Sequence, residues 1–82
     1  MKYFYYTASY NKEKGSTNAC HIASALSTEG DTFPLVVAIN YVANIVRQPV
    51  DTVIVDFVVE ISEHDYHEYM RTVSVKTNLE ML

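Results

Sequence analysis

Two histidines three residues apart, His64 and His67, stand among Glu63, Asp65 and Glu68. On a helix, Glu63 lies one turn before His67 and Glu68 one turn after His64, so imidazoles and carboxylates share a surface that suits a divalent metal. Helical zinc pairs use i, i+4 spacing more often than i, i+3, and no third ligand lies close in sequence, so a solvated acidic helix face accounts for the segment better. Cys20 and His21 set a thiol beside a base, the raw material of a cysteine nucleophile. Neighbours in a strand point to opposite faces, which separates the pair and leaves Cys20 as a small apolar residue. Nucleophile elbow, phosphate loop, dinucleotide fingerprint and paired-cysteine signature are all missing from the chain. The expectation is a protein that is not an enzyme and carries no cofactor and no metal.

A second group of residues suits binding. Lys12, Lys14, Ser16, Thr17 and Asn18 gather donors and positive charge early in the chain, and Asn40, Asn44 and Arg47 recur at one side of a helical segment. With a tyrosine such as Tyr5 for stacking, Lys12, Lys14, Asn18, Asn40, Asn44 and Arg47 form a candidate site for a small anionic, nucleotide-like ligand. An ordinary solvated turn and helix face is the plainer reading. Asn40 and Asn44 also suit hydrogen bonding across a subunit contact, where polar residues fix register.

These residues must be positioned by short elements. Residues 2–10, dense in Tyr and Phe, read as a strand; 11–16 read as a hairpin loop; and a second extended segment is expected over 17–24, where alanines leave a helix as an alternative. Thr32 or Asp31 is expected to cap a helix from Pro34 to Arg47, ended by Gln48-Pro49. Its apolar side would carry Leu35, Ala38, Ile39, Val42, Ile45 and Val46. Residues 51–61 alternate as a strand, with Val53, Val55, Phe57, Val59 and Ile61 on one face. Ser62 opens a short helix to about Arg71 packed through Tyr66, Tyr69 and Met70, residues 72–76 read as an edge strand, and 77–82 as a loose tail. The expected architecture is a single α+β domain over residues 1–82. It is a small two-layer sandwich, ββαβ plus the short C-terminal helix, with an antiparallel or mixed sheet and one long helix across one face.

Charge narrows the partners. Six Lys+Arg against ten Asp+Glu give a net charge of −4, and no Lys or Arg occurs between Gln48 and Met70, which disfavours a nucleic-acid polymer. The longest apolar-rich run, residues 33–46, falls short of the ~20 residues that cross a bilayer. No membrane association is expected, and no signal peptide is written at the start. One cysteine provides no internal disulfide, which fits a reducing, cytoplasmic setting. A chain of 82 residues with 49% hydrophobic and 12% aromatic content has more apolar surface than one sheet face and one helix stripe can hide. Self-association as a homodimer or higher homo-oligomer is the expected outcome.

The segment Val53-Ile54-Val55-Asp56-Phe57-Val58-Val59-Glu60-Ile61-Ser62-Glu63-His64-Asp65-Tyr66-His67-Glu68-Tyr69 resembles the strand, serine-cap and acidic-helix endings of small proteins of bacteria and bacteriophages. That resemblance implies a non-enzymatic accessory role, of the kind filled by phage inhibitors and by sponges that sequester nucleotide immune signals; it transfers no residue. The leading expectation is therefore an oligomeric binding protein that sequesters a small anionic ligand. The alternative is a protein-protein module or inhibitor that presents the acidic second half, and the third is a small enzyme or divalent-metal binder.

Overall fold

The computed structural model describes the backbone of residues 1–11 and 19–80, and side chains as far as Thr72. Strand β1 (Lys2–Asn11) lies at the centre of a three-stranded sheet of order β2-β1-β3, with β2 (Ala19–Thr28) and β3 (Ile54–Ile61) both antiparallel to it. Helix α1 (Leu35–Val46) and a 3-10 turn (Val50–Thr52) connect β2 to β3, and α2 (Glu63–Glu80) follows β3. The chain is thus α+β, with a fully antiparallel sheet and two helices.

The alternation of β1 divides its aromatic residues between two faces. Phe4, Tyr6 and Ala8 are buried on one of them, Phe4 and Tyr6 packing on Phe33 with ring centroids 5.5 and 5.3 Å apart. Tyr6 and Ala8 join Ala38, Val42 and Ala43 of α1 and Val53 in the core. Tyr6 and Val42 are its largest fully enclosed side chains, and burying each contributes on the order of 2 kcal/mol. On the opposite face Tyr3 meets Tyr66 at 4.9 Å and Tyr5 meets Tyr69 edge-on at 5.5 Å, both from α2.

Four expectations need correcting. The edge strand at 72–76 is helix: α2 runs without a break to Glu80, and the Thr72 hydroxyl donates to the Glu68 carbonyl one turn back at 2.9 Å. The single long helix on one face therefore becomes two helices that meet opposite faces of β1. Second, β2 extends through Ser27 and Thr28, expected as loop, because these residues pair with Tyr3 and Lys2. Third, neither Asp31 nor Thr32 caps α1; Pro34 occupies the N-cap position without a side-chain hydrogen bond, and among the helix's expected apolar residues Leu35 and Ile45 are exposed, whereas Ala43 is buried.

The fourth correction concerns β3. Thr7 pairs with Phe57 but Ala8 pairs with Val55, so Asp56 is an extra residue, a bulge. One extra residue reverses the phase of alternation. Val53 and Val55 consequently pack with the α1 core, while Phe57, Val59 and Ile61 lie opposite Thr7, Tyr5 and Tyr3 on the other face. The five residues expected on one face are split between two.

Ser62 behaves as its position suggests. Its hydroxyl accepts a hydrogen bond from the Asp65 N–H at 3.0 Å, its carbonyl accepts from the Tyr66 N–H at 2.9 Å, and Glu63 and Asp65 sit in the first turn where the helix dipole favours acids.

Candidate functional site

Between the two helices and β2 lies a cavity of about 230 Å³, lined by Tyr6, Ala25, Leu26, Ser27, Val37, Tyr41, Tyr66 and Met70. Each wall follows from a local rule. Val37 and Tyr41 are one turn apart on α1, Tyr66 and Met70 one turn apart on α2, and helix residues at i, i+4 share a face. The remaining lining comes from the sheet, where Tyr6 stretches from the central strand toward β2. Burial pushes the Tyr6 phenol above its ordinary value of 10.0, and a hydrogen bond with Ser24 works in the opposite direction. Burial also raises Tyr69, with Tyr5, Tyr6 and Tyr41 adding to the effect. No charged side chain lines the cavity, so its walls suit a flat or aliphatic body met by tyrosine rings and hydroxyls.

The anionic-ligand residues expected from sequence divide into three groups. Lys12, Lys14 and Asn18 lie outside the described residues. Asn40, Asn44 and Arg47 are all exposed; the two asparagines lie one turn apart on α1 and Arg47 follows at its C-cap. Arg47 ends the helix in the left-handed region, φ 58° and ψ 46°; its N–H makes the last i to i−4 bond, to the Ala43 carbonyl, and the left-handed turn brings the Gln48 N–H to the same oxygen. Tyr5 stands apart: its ring packs on Tyr69, on the face of β1 opposite the α1 core, so it does not join Asn40, Asn44 and Arg47. Tyr41 lies on the same helix as the two asparagines, three residues before Asn44 and so one turn from it. The sequence marks Val37 as apolar surface beyond the core stripe but places neither it nor Tyr41 in the candidate site, although their i, i+4 spacing gives them a shared face.

His64 and His67 are exposed on α2. His67 Nε2 is 3.6 Å from Glu63 Oε1, and Glu68 is engaged by Arg71 at 2.6 Å. Among the described residues no group of three or more His, Cys, Asp or Glu side chains is placed to hold a metal ion. Cys20 pairs with Tyr10 and His21 with Ser9, on alternate faces of β2. His21 meets other polar groups through the sheet: the Ser9 hydroxyl donates to Asp56 Oδ1 at 3.3 Å, and His21 Nδ1 lies 4.0 Å from Asp56 Oδ2. The carboxylate, not the imidazole, is in the middle, so this Ser, His and Asp set lacks the base-to-hydroxyl contact that activates a nucleophile.

Apolar side chains also face water well away from the cavity. On β3 Ile54 is 62% exposed, Phe57 53% and Val59 40%, and on α1 Val36 is 70% exposed. No helix among the described residues is long and apolar enough to cross a membrane. No protein-family model matches the chain, and no curated protein or solved structure matches it significantly.

Proposed function

We propose that the chain is a small non-enzymatic binding protein that acts as a homo-oligomer in the cytoplasm and sequesters a small anionic, nucleotide-like ligand, in the manner of a phage-type accessory or anti-defence protein. The observation that carries the ligand reading is the position of the tyrosine-walled cavity: its α1 wall, Val37 and Tyr41, borders the Asn40 and Asn44 row directly. A ring held against Tyr41 and Tyr66 would leave an anionic group within reach of amide donors and the Arg47 guanidinium, an arrangement that divides apolar grip from polar orientation. Relative to the sequence-based set, Tyr41 takes the stacking role of Tyr5. The oligomeric part rests on the exposed apolar side chains of β3 and α1, since folded monomers seldom leave large contiguous apolar patches in water.

Mass spectrometry of protein purified under native conditions tests the reading. A co-purifying small molecule is expected, and its retention should fall at least tenfold in Tyr41→Ala and in Asn44→Ala/Arg47→Ala. Wild-type protein that carries no small molecule and retains none from a panel of mono-, di- and cyclic nucleotides would refute it. One observation favours a second reading in that event: Glu63, Asp65 and Glu68 project from the start of α2 into solvent, an acidic surface that suits a basic protein partner.

A further inference from the structure

We infer that the outer edge of β3 pairs with β3 of a second copy around a two-fold axis at Val59, joining two three-stranded sheets into one of six strands; this rests on the homo-oligomer reading above and specifies its contact. Among the described residues β3 has β1 on one side and no strand on the other. The other free edge is different in character. The exposed side chains of β2 are Ala19, His21, Ala23 and Ser27, small or polar, whereas those of β3 include Ile54, Phe57, Val58 and Val59. An apolar open edge is a template for a further strand.

Acidic residues on an edge strand ordinarily prevent such pairing. The two on β3 are already engaged inside the protomer: Glu60 Oε1 is 3.6 Å from Lys2 Nζ, and Asp56 accepts from Ser9 and lies near His21. What they still control is register. A two-fold axis perpendicular to the sheet returns each side chain to its own face, so the pairing must place one residue opposite its own copy. With Phe57 at the axis, Val59 would face Val55 across the Asp56 bulge, and those two residues point to opposite faces. With Val58 at the axis, Asp56 would face Glu60, and with Glu60 at the axis the glutamates would face each other; like charges directly opposite destabilise a strand pair. With Val59 at the axis, Phe57 faces Ile61, Val58 faces Glu60 and Val59 faces itself, with no like-charge pair and an unbroken apolar strip on one face. Three partly exposed side chains, Phe57, Val58 and Val59, cover far less than the ~800 Å² per partner of a standard interface, which puts the dimer in the weak, concentration-dependent class.

Cysteine cross-linking in a Cys20→Ser background tests the register. Val59→Cys should give a disulfide-linked dimer on mild oxidation, because directly paired Cα atoms lie within disulfide range, whereas Val58→Cys, diagonal to its copy, should cross-link at least tenfold less. Val59→Lys should abolish the dimer in sedimentation with the circular dichroism spectrum unchanged. A Val58→Cys cross-link in place of Val59→Cys would overturn the register. A dimer in solution that neither cysteine traps and Val59→Lys leaves intact would overturn the β3 contact while the homo-oligomer stands, and a monomer at all concentrations would overturn both.

Discussion

Arg47 closes α1 with φ 58° and ψ 46°, and it is the only non-glycine residue of positive φ among the described residues. A side chain in the left-handed region costs about 1–2 kcal/mol because Cβ crowds the following carbonyl oxygen, and glycine escapes that cost at the expense of a more flexible unfolded chain. The difference predicts that Arg47→Gly raises unfolding free energy by about 1 kcal/mol. For a domain of this size that is a shift of roughly 1 M in the urea midpoint, with the m-value unchanged. Arg47→Ala keeps the strained backbone and removes only an exposed side chain, so its unfolding free energy should stay within about 0.5 kcal/mol of wild type. Urea titrations followed by circular dichroism at low protein concentration separate the two. An Arg47→Gly protein no more stable than Arg47→Ala would refute the left-handed cap. Both variants should lose ligand if the guanidinium binds it, so the pair also separates folding from binding.

Other consequences follow from the same geometry. Val42→Ala should cost about 2–3 kcal/mol, because Val42 is 0% exposed, whereas Val37→Ala, in the exposed stripe, should change stability by less than about 0.5 kcal/mol; equal effects in chemical denaturation would place the helix's core stripe elsewhere. Ser62→Ala removes the acceptor for the Asp65 N–H and should cost about 1 kcal/mol, with Ser62→Asp restoring it. Tyr6 and Tyr69 hold their protons more tightly folded than unfolded, chiefly through burial. The unfolded chain therefore ionises first, and the stability tied to these rings is complete below their ordinary value of 10.0 and declines as pH rises above it. Stability measured from pH 8 to pH 11 should fall above pH 10, less steeply in Tyr6→Phe, and a flat profile would contradict the burial.

The parts of the fold legible in the sequence are those governed by local chemistry. Pro34 and Pro49 bracket α1, Ser62 announces α2, and the aromatic run from Tyr3 to Tyr6 marks β1. The misread parts depend on residues distant in sequence. Ser27 and Thr28 look like a turn until Tyr3 and Lys2 pair with them. Alternation in β3 gives no warning of the Asp56 bulge, since only pairing with Thr7 and Ala8 reveals that one residue has no partner. Residues 72–76 carry the β-branched residues of a strand, yet they continue a helix already nucleated and capped at Ser62, where propagation costs less than a new start. The binding residues divide likewise. Asn40 and Asn44 share a face because helical spacing requires it, and Arg47 follows at the left-handed C-cap, whereas Tyr5 is separated from them by strand parity, which the sequence displays only once the side of the sheet that α1 covers is known.

Sedimentation equilibrium over a concentration series from micromolar to several hundred micromolar is the direct test of apolar surface left uncovered by the protomer. The expected result is a mass that rises from 9.3 kDa toward twice that value with increasing concentration, and that remains at the lower value for Val59→Lys. A wild-type mass fixed at 9.3 kDa throughout would contradict it.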